Sequence, residues 1–175
     1  MKHLLIRILF IATVLQATAI KYDWDDFPAL DSLPANYNAL PDLDLTTKYS
    51  NSDLDRAFTL KKPEIINLAE TLAFDYRPIG KYCTDDAEYI LFYCVSGFNT
   101  YVFASQTDNN GQIVESLLLY HFAGSWLRTS FESKDNEITV YNYSYHMSSD
   151  LQPVSAERYA LDKGFKRIKH NDNKQ

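Results

Sequence analysis

The sequence predicts a mainly β (α+β) protein, an antiparallel meander of about six or seven strands with one N-terminal helix packed on it. The composition favours strands, because 13 Tyr and 10 Phe stand against only 5 Gly. Apolar segments of about nine residues recur every 12 residues or so, with turn residues between them. One earlier segment has helical spacing instead. These observations leave open whether the strands form a curved sheet, a sandwich or a small barrel.

Residues 1–19 have the features of a secretory signal peptide. Lys2 and Arg7 make the start positive, residues 8–15 form a short apolar run, and Ala17-Thr18-Ala19 resembles a cleavage site. The run is too short for a membrane anchor, so we expect no membrane span. The chain is therefore expected to be secreted or periplasmic after the segment is removed.

Residues 20–48 form the next unit, a stretch rich in Pro and Asp. Pro28, Pro34 and Pro41 recur every six or seven residues, and each favours extended backbone before it and removes one N–H donor. We expect an extended arm that lies against the domain through its large apolar side chains. These are Trp24, Phe27, Leu30, Leu33 and Leu40.

A single β-rich domain is expected over residues 49–170, followed by a disordered polar tail over 171–175. Its first element is a helix at about 63–74, where apolar residues follow the i, i+3, i+4, i+7 spacing. Pro63 suits the first helical turn. The segment "RPIG" at 77–80 is expected to end the helix.

The strands follow in order after the helix. Residues 87–96 are apolar at nearly every position, which is typical of a strand covered on both faces. Asn110-Gly111 predicts a hairpin turn, because both residues tolerate positive φ. The other predicted strands are 99–107, 112–122, 126–133, 138–145, 154–162 and a short "FKRI" at 165–168.

Cys83 and Cys94 are the two cysteines of the chain. In an exported protein an even pair predicts one disulfide, and no further ligands for a metal lie at suitable spacing. The bridge requires the chain to turn near Glu88-Tyr89, or residues 77–83 to run back beside the strand. A simple hairpin at residues 85–86 would argue against it, because the two Cα atoms would then lie too far apart.

Charge and motifs exclude several classes of function. The net charge of −6 at pH 7 disfavours nucleic acid as a partner. The acidity fits ordinary solubility, and it also fits attraction to a basic protein partner. We expect no cofactor and no metal. His121 lies near Ser125, but no orienting carboxylate accompanies them in the sequence, so we predict no catalytic residues.

The stretch "VYNYSYHM" (140–147) places a tyrosine at every second position. A two-residue turn at Asp135-Asn136 sets Ser130 opposite Tyr141, Arg128 opposite Tyr143 and Trp126 opposite Tyr145. The other face then carries the aliphatic set, which we expect to point inward. The opposite face then points outward or lies under the N-terminal arm. An outward row of Trp, Arg and Tyr is typical of a binding surface, although such ladders also stabilise sheets without any partner. The inward set is Leu127, Phe131, Ile138 and Val140. The predicted partner-binding set is Trp126, Arg128, Tyr141, Tyr143, Tyr145 and His146.

The sequence therefore favours an exported, non-catalytic module that binds another protein, such as an inhibitor or immunity-type factor against a basic toxin or hydrolase. Two alternatives stay open. One is a small-ligand carrier with a β-barrel cavity lined by aromatic residues. The other is a hydrolase of unknown type, which would need a histidine joined to a carboxylate in a polar pocket.

Overall fold

A computed structural model describes residues 24–41, 54, 57, 75–144 and 152–169. Within these residues, eight strands run antiparallel in one sheet, and their order in the sheet is their order along the chain. The sheet is open and curved, with β1 and β8 as its edges. The strands are β1 (Asp75–Cys83), β2 (Glu88–Ser96), β3 (Asn99–Thr107), β4 (Ile113–Ala123), β5 (Trp126–Lys134), β6 (Glu137–Tyr143), β7 (Pro153–Asp162) and β8 (Gly164–Ile168).

The predicted antiparallel meander is confirmed, but the predicted count of about six or seven strands is not, because the described residues form eight. The additional strand is β1, whose Pro78 and Gly80 read in the sequence as the end of a helix. Proline is tolerated here because β1 lies at the sheet edge and its register with β2 shifts between Pro78 and Gly80. The shift is a bulge, which accommodates a residue that cannot donate to the ladder.

The helix expected at about 63–74 lies outside the described residues, and so do residues 1–19 and 171–175. Leu54 and Ala57 are helical and completely buried. No helix within the described part of the chain is long and apolar enough to cross a membrane.

Strands β1–β4 are covered on both faces, as predicted for residues 87–96. Along β2, Tyr89 and Leu91 point to one face while Ile90 and Phe92 point to the other, and all four are fully buried. The first face packs against β5–β8, which curve over it with Phe131, Ile138, Val140, Leu161 and Phe165. The second face is covered by Trp24, Phe27, Leu54 and Ala57, from chain segments that precede β1.

The β7–β8 hairpin is fastened to the first half of the sheet by polar contacts. The Tyr89 hydroxyl donates to the carbonyl oxygen of Asp162 at 2.7 Å. The backbone N–H of Phe165 donates to Glu115 Oε2 at 3.0 Å. These bonds hold the last hairpin over strands β2 and β4, which keeps the sheet curved although its edges remain unpaired with each other.

The arm lies against the domain, and its large apolar side chains are buried or half-buried. It also covers the outer edge of β1, because Leu30 N–H donates to the Lys81 carbonyl and Lys81 N–H donates to the Pro28 carbonyl, both at 2.7 Å. The arm passes so close to Gly80 that a Cβ at this position would lie 2.5 Å from Leu30 Cγ. Glycine therefore permits the contact, and the backbone N–H and carbonyl of Lys81 on this edge are already paired with the arm.

The predicted disulfide between Cys83 and Cys94 is wrong. The two cysteines do not form a disulfide; Cys83 is exposed and Cys94 is buried. Residues 84–87 form the hairpin turn that sets Cys83 opposite Glu88, whereas Cys94 lies opposite Tyr76. Six residues of strand between Glu88 and Cys94 correspond to about 20 Å, far beyond the roughly 7 Å that a bridge allows.

Candidate functional site

The β5–β6 hairpin has the predicted register. Lys134 lies opposite Glu137 and Ser130 lies opposite Tyr141, with Asp135 in the left-handed region at φ 54°. Positive φ at the first turn position is typical of the tight turns that match strand twist. One face of the hairpin is therefore aliphatic and the other carries the tyrosines.

The aliphatic face points inward, as predicted. Phe131, Ile138 and Val140 are each at most 4% exposed. Leu127 is half-buried and lines the cleft described below. Each large apolar side chain that is removed from water in this way stabilises the fold by roughly 1.5–3 kcal/mol, so the hairpin cannot turn over to bury its tyrosines instead.

Tyr141 and Tyr143 are half-buried on the opposite face, where their hydroxyls hold fixed partners. Tyr143 Oη and Ser130 Oγ are 2.9 Å apart. The Tyr141 hydroxyl donates to Glu132 Oε2 at 3.0 Å. Burial, followed by the bond to Glu132, raises the pKa of Tyr141. Both phenols are thus held in place while part of each ring stays in contact with solvent.

A cleft opens beside these tyrosines because the β4–β5 ladder is short. It covers three residue pairs and ends at His121 and Thr129. Beyond that point β4 and β5 diverge, and the arm enters between them. Ser133 is bonded there twice, from its N–H to the Ala35 carbonyl and from its hydroxyl to the Pro34 carbonyl, both at 2.8 Å.

The cleft has a volume of about 630 Å³. Its walls come from the arm, the end of β4, both faces of β5, and β6, with one residue of β7. Most of the lining is aromatic or apolar, with amides, a hydroxyl and one carboxylate among it. The lining residues are Asn36, Tyr37, Asn38, Tyr120, Phe122, Leu127, Ser130, Phe131, Glu132, Tyr141, Tyr143 and Pro153.

Tyr37 connects the arm to the sheet at the wall of this cleft. Its ring stacks on that of Tyr120, with centroids 3.9 Å apart and planes inclined by 14°. Asn36 precedes the 3-10 turn Tyr37–Ala39 and its side chain accepts from Asn38 N–H, which sets the direction of the turn. Burial raises the pKa of Tyr37 to about 12, with a smaller contribution from Tyr93. The phenol is therefore neutral at physiological pH.

Two of the six predicted binding residues line the cleft, namely Tyr141 and Tyr143. Trp126 and Arg128 are half-buried further along β5 and are absent from the lining. The β5–β6 ladder begins at Thr129 and Asn142, so it does not extend to the expected pairing of Arg128 with Tyr143. Tyr145 and His146 lie outside the described residues.

The aromatic residues that sequence reasoning missed are Tyr37, Tyr120 and Phe122. Tyr37 belongs to the arm, 83 positions before Tyr120, and no local pattern predicts that the two rings meet. Tyr120 and Phe122 belong to a strand whose apolar residues read as core. The register shift of β4 against β5 between His121 and Phe122 could not be predicted from spacing alone.

The contacts of His121 are those of a core residue. Its ring stacks on Tyr101 with centroids 4.5 Å apart, and Nε2 lies 3.4 Å from Asn99 Oδ1. Ser125, four positions further along the chain, is exposed on the β4–β5 turn. Among the residues that the structure describes, no group of three His, Cys, Asp or Glu could hold a metal ion.

Comparison with protein-family models, with curated proteins and with solved structures finds no match to this chain.

Proposed function

We propose that this protein is a non-catalytic module that binds another protein through the cleft lined by Tyr141 and Tyr143. The observation that carries the proposal is the division of the β5–β6 hairpin into two faces. Its apolar side chains are mostly buried, with Leu127 and Phe131 also reaching the wall of the cleft, whereas Tyr141 and Tyr143 line the open cleft from the other face. Aromatic rings from outside the hairpin border the same cleft, namely Tyr37, Tyr120 and Phe122.

Tyrosine suits this task for a physical reason. Its ring contributes a large contact area at small conformational cost, and its hydroxyl remains satisfied by water or by a partner. The hydroxyls of Tyr141 and Tyr143 are held by Glu132 and Ser130, so little side-chain entropy remains to be lost on binding. Arg128 and Trp126 extend the proposed surface along β5.

The biological setting is part of the same proposal. The signal peptide predicted for residues 1–19 supports action outside the cytoplasm, and the net charge of −6 supports a basic partner. An exported acidic module of this kind would act as an inhibitor or immunity-type factor, occluding a basic toxin or hydrolase.

Selection of displayed random peptides on the immobilised full chain tests the proposal. We expect selected peptides to lose at least about tenfold in affinity for Tyr141→Ala or Tyr143→Ala, the loss typical of a truncated hot-spot residue. Tyr159→Ala is the matched control. Tyr159 is also half-buried and donates to a carboxylate, that of Glu157, but it lies outside the cleft. Equal affinity for all three variants, each shown to be folded by thermal unfolding, would contradict the proposal.

A second candidate function is a carrier of a small apolar molecule. The cleft volume of about 630 Å³ falls within the range of small-molecule sites, roughly 300–1,000 Å³. An apolar fluorescent dye should then bind with a defined stoichiometry and be released by Leu127→Glu. If the dye does not bind and the tyrosine variants lose their peptides, protein binding is the function that remains.

A further inference from the structure

We infer that the cleft recognises an arginine side chain of its partner, with the Glu132 carboxylate as counter-ion and the tyrosine rings as stacking surfaces. The inference rests on the proposed function and specifies the chemistry of the ligand. Two properties of the cleft carry it, namely the charge of its lining and the aromatic rings that line the same space.

The lining is electronegative. Among the described residues that border the cleft, Glu132 is the one with a formal charge, and the other polar groups are amides, a hydroxyl and phenols. The whole chain carries −6, so the surrounding field also attracts cations. Charge complementarity therefore favours a basic segment as the occupant of this groove.

Glu132 is oriented but not saturated. Its Oε2 accepts from the Tyr141 hydroxyl at 3.0 Å, and its Oε1 accepts no hydrogen bond from any described residue. Within the part of the chain that the structure describes, no cation forms an ion pair with it. Arg158 lies close enough to Tyr141 to affect its pKa electrostatically, but its guanidinium group is bound to Glu137. Lys134 makes no ion pair with Glu132. A carboxylate held by one bond keeps lone pairs for an incoming donor.

Aromatic rings border the same space. Tyr37, Tyr120, Phe122 and Tyr143 line the cleft together with Glu132 and Tyr141. A cation over the face of such a ring is attracted by the ring quadrupole, and the attraction grows when water is excluded. A cleft lined by both a carboxylate and aromatic rings suits a cation. A neutral or acidic side chain would gain neither an ion pair with the carboxylate nor a cation–π contact with the rings.

The guanidinium group fits this lining better than an ammonium group. It is planar, so it stacks on a ring while donating in its own plane to Glu132 Oε1 and to phenol oxygens. It is also more weakly hydrated, so entering a partly aromatic cleft costs less. Lysine would satisfy the carboxylate, but it would make a weaker contact with the rings.

Peptide titrations of the isotope-labelled full chain, followed by NMR, test the inference. The probes are acetylated and amidated pentapeptides with arginine, citrulline or lysine between neutral residues. Citrulline preserves the shape of the side chain and removes its charge. We expect the arginine peptide to shift the resonances of Glu132, Tyr141 and Tyr143. It should bind about three- to tenfold more tightly than the citrulline peptide, an effect moderated by the exposure of Glu132.

Two variants complete the test. Glu132→Gln should abolish the preference for arginine over citrulline, while Asp26→Asn, which removes one negative charge from an exposed position outside the cleft, should retain it. Equal binding of arginine and citrulline, shifts confined to another surface, or no shifts at all would overturn the inference.

The two proposals can fail separately. If displayed peptides depend on Tyr143 but not on Glu132, and are not enriched in arginine, the arginine inference is wrong and the binding function stands. If they depend on neither residue, both proposals are wrong.

Discussion

The ring of Tyr37 lies 3.9 Å from the ring of Tyr120, stacked almost parallel to it across 83 positions of sequence. This contact joins the N-terminal arm to β4 at the place where β4 and β5 separate. It closes one side of the gap in the sheet and forms a wall of the cleft. The binding site we propose therefore depends on a segment that belongs to none of its strands.

Removing the Tyr37 ring should weaken the attachment of the arm. We expect Tyr37→Ala to lower the free energy of unfolding by about 1–2 kcal/mol, the stacking energy of an aromatic pair together with some lost burial. Tyr37→Phe retains the ring and should unfold near the wild-type denaturant midpoint. Combining Tyr37→Ala with Tyr120→Ala in a double-mutant cycle measures the coupling, and strictly additive losses would show that the stack contributes nothing.

Gly80→Ala should displace the arm from the edge of β1. The added Cβ would lie 2.5 Å from Leu30 Cγ and 2.7 Å from the Pro28 carbonyl oxygen, so either the arm or β1 must move. We expect a loss of about 1–3 kcal/mol, the usual cost of overpacking, and faster hydrogen exchange at Leu30 and Lys81.

A second substitution controls for this effect. Leu30→Ala removes the side-chain part of the clash, so the double variant should recover part of the loss in free energy of unfolding. No recovery would indicate that the carbonyl of Pro28 alone sets the spacing.

The two thiols should differ in reactivity. Cys83 is exposed and Cys94 is buried beneath the N-terminal segments, so a thiol reagent should modify one cysteine in the native protein and two after denaturation. Cys83→Ser should abolish the modification of the native protein. An unmodified denatured protein would instead show that the two sulfurs are bonded, in conflict with the register of β1 and β2.

Stability should fall above pH 10. Burial raises the pKa of Tyr101 from 10.0 to about 12. The unfolded chain therefore releases this proton first as the pH rises. The corresponding stabilisation is complete below pH 10 and is lost progressively as the pH rises to about 12. Burial is also the main reason that the pKa of Tyr89 is raised to about 12, so Tyr89 adds to the same loss of stability at high pH.

Denaturant midpoints measured between pH 9 and pH 12 check the alkaline transition. Tyr101→Phe removes the titrating hydroxyl and preserves the ring, so its midpoint should decline less steeply than that of the wild type. A parallel decline in the two proteins would mean that other groups dominate the alkaline transition.

Local pattern was sufficient for most of the sheet. Seven strands were predicted within about two residues of their ends, because each combines apolar side chains with clear turn residues. The β5–β6 register also followed from local chemistry, since a two-residue turn at Asp135-Asn136 is the choice that gathers Phe131, Ile138 and Val140 on one face. The inward orientation of that face is a consequence of hydrophobic burial.

Strand β1 shows where local pattern fails. Pro78 and Gly80 are poor strand residues, and their place in the sheet depends on the bulge opposite β2 and on the arm that crosses Gly80.

The prediction of a disulfide between Cys83 and Cys94 was also wrong. Compartment and cysteine count favoured a bridge, but the turn at residues 84–87 separates the two thiols along the strands.

By itself the sequence determined the β meander, the arm with its buried aromatic residues, and the tyrosine-bearing face of β6. These features depend on side-chain period, turn residues and hydrophobic burial, which act over a few residues. Only the tertiary structure decided that β4 and β5 separate beyond Thr129, that Tyr37 stacks on Tyr120, and that Glu132 borders the same cleft. Those relationships join residues up to 95 positions apart, and they depend on sheet curvature and register shifts that no local pattern encodes.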